Sequence, residues 1–110
     1  MRSIIQKMNR EIFGFIHHLD FEPKRARPVT FWFYSDNELN IYRLAAHLQS
    51  NGYTIICCEY SEISRNYLCI AEVVMSPRNQ QLDRLCVDMQ LLAEKMEVEF
   101  DGWETVIDPG

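Results

Sequence analysis

The chain has 110 residues, of which 47 % are hydrophobic and 25 % are charged, as in an ordinary globular domain. Its formal net charge is −5, and this charge is unevenly distributed. Residues 1–30 carry six basic and three acidic side chains, whereas residues 31–110 carry five basic and thirteen acidic ones. An acidic body repels phosphate backbones, so the composition argues against direct nucleic-acid binding and favours a basic protein partner.

Neither a secretory signal nor a membrane span is predicted. Lys7, Arg10 and Glu11 interrupt the apolar residues near the N-terminus, and no apolar run is long enough to cross a bilayer. We therefore expect a cytoplasmic protein without a membrane partner. The four cysteines form no C-x-x-C pair and fit the apolar patterns, so we expect reduced, buried thiols, with a disulfide or zinc framework as the alternative.

The first predicted element is an amphipathic helix over residues 3–19. Its apolar side chains recur at helical spacing: Ile5, Met8, Ile12, Phe15, Ile16 and Leu19. A linker over residues 20–28 follows, with two prolines and a basic cluster, and then a strand over residues 29–34, where VTFWFY is β-branched and aromatic. Ser35 and Glu38 are typical of a capping box that opens a helix, and Asn51 and Gly52 are typical of its end.

The second half of the chain predicts a hairpin, a helix and a last strand. Strands over residues 53–60 and 67–75 are separated by a short polar turn. Ser76 as N-cap and Pro77 at the first helical position open a helix with a long apolar stripe, and a strand is predicted over residues 97–106.

This β-α-β-β-α-β order is that of the split βαβ, ferredoxin-like motif. We predict one α+β domain over residues 1–110, with a ferredoxin-like core over residues 29–106. Right-handed crossovers place both internal helices on one face of a four-stranded antiparallel sheet.

The other face of the predicted sheet combines aromatic and acidic side chains. Alternation places Trp32 and Tyr34 there from the first strand, and Glu99, Asp101 and Trp103 from the last. Such a patch marks an interaction site when it is exposed. Three coverings stay open at this point: the N-terminal helix, a second copy of the chain in a homodimer, and a protein partner.

Asp101-Gly102-Trp103-Glu104 is the most specific motif. A glycine inside a strand predicts a bulge or tight bend, after which the tryptophan can point away from the face of its neighbours. In the structural interpretation Trp103 is a packing anchor and the carboxylates are solvated. In the functional one, Asp101, Trp103 and Glu104 belong to a docking surface for a basic segment. The spacing implies no metal ligand or histidine beside the carboxylates, so no catalytic residue, metal site or cofactor is predicted.

The remaining candidate sites are weaker. His17 and His18 end the first predicted helix, where a cationic imidazole is favoured. A nucleophile pair of Cys57 and His47 is an enzymatic alternative that has no local signature. The basic linker and the aromatic strand could touch RNA, but three basic side chains give little affinity and the glycine pattern of an RNA-recognition strand is missing.

Several of these motifs resemble those of the RraB (regulator of ribonuclease activity B) family, and the resemblance covers most of the chain. LAEKMEVEFDGW at residues 92–103 is the closest match, TFWFYSDNELN at residues 30–40 is similar to the family's strand and helix start, and Gly52 and Tyr53 match its helix exit. The resemblance implies a ferredoxin-like α+β sandwich. It also implies a cytoplasmic, bacterial, non-enzymatic protein that binds and inhibits ribonuclease E and so modulates RNA turnover.

The sequence departs from the family in one respect. The family's founding type has a long Asp/Glu-rich C-terminal tail, and no acidic run is present here before Gly110. The alternative hypothesis is therefore an interaction or immunity-type protein that uses the same scaffold for an unrelated protein partner. The predicted partner-binding residues are the same in both cases: Trp32, Tyr34, Glu99, Asp101, Trp103 and Glu104.

Overall fold

Six elements follow one another in the predicted order strand, helix, strand, strand, helix, strand. A computed structural model describes residues 25–77 and 79–106, so the predicted helix at residues 3–19 lies outside the described part. The elements are β1 (Arg27–Ser35), α1 (Glu38–Ser50), β2 (Thr54–Ser61), β3 (Asn66–Met75), α2 (Asn79–Met96) and β4 (Glu99–Thr105). Within the described ranges, no helix is both long and apolar enough to cross a membrane.

The four strands form one sheet in the order β2-β3-β1-β4. Every neighbouring pair is antiparallel, and the predicted hairpin of β2 and β3 is confirmed. β1 lies inside the sheet, paired over its whole length with β3 on one side and from Val29 to Tyr34 with β4 on the other. This is the strand arrangement of a ferredoxin-like α+β fold, which the sequence predicts correctly.

The core lies between the sheet and the two helices. Val29, Phe31 and Phe33 alternate along β1 and are fully buried. They pack with the apolar stripes of α1 and α2 in one cluster, whose helical members are Ile41, Leu44, Ala45, Leu48, Leu82, Cys86, Met89 and Ala93. Because one cluster contains residues of both helices and of one face of β1, both helices lie on the same face of the sheet, as predicted.

The start of α1 differs from the prediction. Ser35 is not the N-cap, because β1 continues through Ser35, which is paired with Tyr67. Asn37 is the N-cap, and its side chain accepts a hydrogen bond from the backbone N–H of Asn40 at 3.1 Å. The Ser35 hydroxyl instead accepts from the backbone N–H of Asn37 at 3.0 Å. Glu38 is therefore the first helical residue, and no capping box forms.

Both helices end in the same hydrogen-bonded motif. After α1, the N–H groups of Gly52 and Tyr53 donate to the carbonyls of Gln49 and Leu48, and Gly52 has a φ of 93°. This is the predicted left-handed cap. After α2, Glu97 takes the same place with a φ of 58°, and the N–H of Val98 donates to the carbonyl of Ala93 at 2.9 Å. A side chain therefore occupies a backbone conformation that favours glycine.

We expect Glu97→Gly to raise the free energy of unfolding by about 0.5–1 kcal/mol, because glycine relieves the left-handed strain at this helix end. Urea denaturation checks this: the midpoint should rise while the slope of free energy against urea concentration stays constant. Gly52→Ala is the matched control at the other helix end, where the same strain is introduced. It should lower the unfolding free energy by about 1 kcal/mol or more. A Glu97→Gly protein less stable than the parent would contradict the assigned conformation.

Candidate functional site

The face of the sheet turned away from α1 and α2, which we call the distal face, carries the predicted aromatic side chains. Thr30, Trp32 and Tyr34 alternate along β1 with the fully buried core residues and are half-buried. This confirms the predicted division of β1 into two faces. The indole N–H of Trp32 donates to the hydroxyl of Thr30 at 3.2 Å, which fixes the ring along the strand.

The neighbouring strands give this face an apolar and an acidic side. On β3, Leu68 and Ile70 lie in register with Tyr34 and Trp32 and are half-buried. On β4, Glu99 and Glu104 lie in register with Tyr34 and Thr30 and are exposed. The two β1 aromatics therefore lie between aliphatic side chains on one flank and carboxylates on the other.

The predicted bulge in β4 is confirmed. The register passes from Phe31 opposite Trp103 to Phe33 opposite Phe100, so two residues, Asp101 and Gly102, face the single residue between Phe31 and Phe33. Gly102 has a φ of 103°, a conformation that side-chain-bearing residues rarely adopt. The bulge thus depends on this glycine.

The bulge also corrects the expectation that Trp103 shares the distal face. Trp103 is only 9 % exposed and belongs to the core cluster. In a regular strand, residues 100 and 103 would point to opposite faces of the sheet. The extra residue of the bulge shifts the alternation of side chains by one position, so Phe100 and Trp103 both face the core. Asp101 and Glu104 stay exposed. Trp103 therefore supports the distal face from below rather than presenting its ring there.

Two open hollows follow the β1–β4 side of the sheet. The first, about 240 Å³, is lined by Trp32, Tyr34, Asp101, Gly102, Trp103 and Glu104. The second, about 330 Å³, is lined by Tyr34, Ser35, Asp36, Asn66, Glu97, Val98 and Glu99. Tyr34 belongs to both. The described residues that line them include five carboxylates and no lysine or arginine.

Sequence reasoning missed two of these carboxylates. It assigned Asp36 to a helix start and Glu97 to a strand, whereas both line the second hollow. The pairing of β1 with β4 brings Asp36 beside Glu97 and Glu99, and one sequence does not provide that register. Burial, followed by the charge of Asp101, raises the pKa of Tyr34. Its hydroxyl therefore stays protonated and is a hydrogen-bond donor at neutral pH.

The cysteines are thiols without features of a nucleophile. Cys57 lies in register with Ile70 of the distal face and Cys58 with Cys69, so the adjacent pair points to opposite faces of the sheet. Burial raises the pKa of all three, to about 12 for Cys69. Cys69 and Cys86 are buried as predicted, whereas Cys57 and Cys58 are half-buried.

The Cys57–His47 pair does not form. His47 lies in the last turn of α1, and α1 packs on the face of the sheet opposite to Cys57. Among the described residues, no group of three or more His, Cys, Asp or Glu side chains could hold a metal ion.

One residue of the linker's basic cluster, Arg27, is placed differently from the prediction. Arg27 is the first residue of β1 and is buried. Its guanidinium donates to the carbonyls of Arg25 and Val106 at 3.1 and 3.0 Å, and so ties the start of β1 to the end of β4. Arg27 therefore has a structural role and does not present its charge as part of a basic surface.

Comparison with known proteins gives the chain a family. No curated protein matches it. The family described as "Regulator of ribonuclease activity B" (RraB) matches residues 6–105, which is nearly the whole chain. The matched region contains every described helix and strand, including the bulge and the aromatic residues of β1. On this evidence, the chain belongs to the RraB family of regulators of ribonuclease activity.

Proposed function

We propose that this protein is a non-enzymatic, cytoplasmic regulator that binds a ribonuclease E-type endonuclease and lowers its activity. Membership of the RraB family supports a regulatory role toward a ribonuclease. The observation that carries the proposal is the distal face, where Trp32 and Tyr34 lie beside Glu99, Asp101 and Glu104. We infer that the partner docks there, over Trp103.

Aromatic rings and carboxylates together suit a cationic protein segment. Tryptophan and tyrosine are enriched among the residues that dominate binding energy, because they bury a large area and keep a polar group. Carboxylates at the rim raise the association rate of a basic segment and repel acidic competitors. The hydroxyl of Tyr34 is protonated at neutral pH and can donate to a backbone carbonyl of the bound segment.

The same charges argue against direct contact of this face with RNA. Nucleic-acid affinity depends on neutralising phosphates with Lys and Arg. The lining of both hollows supplies carboxylates instead, and Arg27 is held by backbone carbonyls. Regulation of RNA turnover therefore acts, in this proposal, through contact with the nuclease rather than with its substrate.

The double variant Asp101→Asn/Glu104→Gln should weaken binding to a purified ribonuclease E-type enzyme about tenfold or more, because it removes the steering charges and keeps side-chain size. Biolayer interferometry at two salt concentrations measures this, and the loss should be mainly in the association rate. Inhibition of RNA cleavage should weaken in parallel.

Asp88→Asn/Glu94→Gln is the matched control, since it removes one Asp and one Glu charge from exposed positions of α2 on the other side of the molecule. It should change affinity less than about twofold. Equal losses in both double variants would mean that net charge, and not the distal face, determines binding. If the purified nuclease does not bind and a pull-down from bacterial lysate recovers an unrelated protein instead, the immunity-type alternative would be favoured.

The proposal that the protein is not an enzyme predicts cysteine thiols that react slowly with an alkylating reagent. Because the folded pKa values of Cys57, Cys58 and Cys69 are raised, less thiolate is present at neutral pH than in a cysteine peptide. Alkylation by iodoacetamide at pH 7.5, followed by mass spectrometry, should therefore be slower than for the peptide at Cys57 and Cys58. Cys69 and Cys86 should react only upon unfolding. A native cysteine that reacts faster than the peptide would support an enzymatic role instead.

A further inference from the structure

A second cluster of aromatic side chains lies on the helix side of the sheet, away from the distal face. Tyr60 of β2 and Tyr67 of β3 are cross-strand partners, and Tyr67 is also in register with the buried Ser35. Glu38 and Tyr42, one helical turn apart at the start of α1, lie near Tyr67 of this pair. We call these four residues, Glu38, Tyr42, Tyr60 and Tyr67, the tyrosine cluster.

Two rings of the cluster pack against each other, and two are about half exposed. Tyr60 and Tyr67 form an edge-to-face pair, with ring centroids 5.2 Å apart and an interplanar angle of 69°. Tyr60 is 50 % exposed and Tyr42 is 47 % exposed. The turn that follows β2 carries Ile63, which is 99 % exposed, so this end of the hairpin presents unusual apolar area to solvent.

Glu38 is the electrostatic centre of the cluster. A hydrogen bond to Glu38, and then its charge, raise the pKa of Tyr67, and the charge of Glu38 is the main cause that raises the pKa of Tyr42. A nearby cation would act in the opposite direction. Among the described residues, the groups that shift these two tyrosines are Glu38, Cys58 and other tyrosines, with no lysine or arginine. The charge beside Tyr42 and Tyr67 is therefore negative.

A cross-strand tyrosine pair can stabilise a hairpin without any ligand. Packing of this kind accounts for the contact between Tyr60 and Tyr67. It does not account for the Glu38 carboxylate beside Tyr42 and Tyr67, or for the exposure of about half of Tyr42 and Tyr60. Aromatic faces carry partial negative charge and attract cations within about 6 Å of the ring centre. A carboxylate among such rings adds a full charge and two acceptor oxygens.

We propose that the tyrosine cluster is a binding site for an arginine side chain of a partner protein. A guanidinium is planar, stacks on tyrosine and pairs with a carboxylate through two parallel N–H bonds, whereas an ammonium group offers only a point charge. The open position at the hairpin end suits a side chain carried on a protein segment. This inference is independent of the distal face, which lies on the opposite side of the sheet.

A peptide titration tests the proposal on the full chain. The probe is the acetylated, amidated tripeptide Ile-Arg-Ile, titrated into ¹⁵N-labelled protein and followed by NMR. We expect saturable shifts at Glu38, Tyr60 and Tyr67, with a dissociation constant on the order of millimolar, as befits one exposed cation–aromatic contact with a carboxylate. The citrulline peptide, which is isosteric but neutral, should bind at least about tenfold more weakly, and the lysine peptide about threefold more weakly.

Variants separate recognition from simple stabilisation. Tyr60→Leu, which removes the ring, and Glu38→Gln, which removes the charge, should each weaken peptide binding about threefold to tenfold. Tyr60→Phe should bind like the parent, because it keeps the ring. Leu91→Ala, at an exposed position of α2 outside both surfaces, is the control and should leave the titration unchanged. Each variant's own NMR spectrum reports whether it is folded before peptide is added.

The proposal is overturned by equal affinity for the arginine and citrulline peptides, by shifts confined to the distal face, or by unchanged affinity in folded Tyr60→Leu and Glu38→Gln proteins. Because the probe is a peptide and not a nuclease, these results do not depend on the proposed function. Loss of nuclease binding in the Asp101→Asn/Glu104→Gln variant with intact peptide binding would separate the two surfaces.

Discussion

The structure depends on the alternation of side chains along β1 between the helix side and the distal face of the sheet. Both neighbouring strands, β3 and β4, pair with β1 and are placed by this alternation. Val29, Phe31 and Phe33 face the helices, and truncation of a buried phenylalanine of this kind costs about 3–5 kcal/mol. A one-residue slip of β1 would expose all three and bury Thr30, Trp32 and Tyr34 instead. The core therefore fixes the register of β1, and the register in turn decides which side chains form the distal face. The same interaction specifies both the fold and the candidate surface.

The bulge in β4 has a similar effect at the edge of the sheet, because it decides which side chains of β4 face the core. It allows one short strand to give Phe100 and Trp103 to the core while Asp101 and Glu104 remain exposed. β2, the other edge, also has a register shift, between Ile55 and Cys57. Bulges disturb the regular hydrogen-bonding row that an edge strand offers to another chain. Both edges therefore disfavour strand addition, which leaves the faces of the sheet as the surfaces for recognition.

The sequence predicts the element order, the hairpin, the helix side of β1 and the Asp101-Gly102 bulge, because each depends on local periodicity or on a glycine. It does not predict features that depend on register. The phase after the bulge decides that Trp103 is buried, and pairing of Ser35 with Tyr67 decides that Asn37 caps α1. Asp36 joins Glu97 and Glu99 in the second hollow only because β1 and β4, which are distant in sequence, are paired, and Tyr60 meets Tyr67 only because of the register of the hairpin. The residues of the second hollow and of the tyrosine pair that make these contacts are mostly exposed or half-exposed, so the hydrophobic pattern of the sequence does not predict the contacts.

Charge gives the two surfaces a common physical basis. The distal face has two aromatic rings of β1 beside carboxylates of β4, and the tyrosine cluster has two rings near Glu38 and a third ring against one of them. Each combines a weakly polar aromatic area with negative charge, which favours a cation that is itself planar and partly apolar. A partner rich in arginine could therefore contact both faces of the sheet at the end where β1 meets α1. Two weak contacts joined in one partner segment bind far more tightly than either alone, since the second contact becomes intramolecular. A regulator that binds as proposed would need no deep pocket, and its affinity would depend strongly on ionic strength, because salt screens exposed charges.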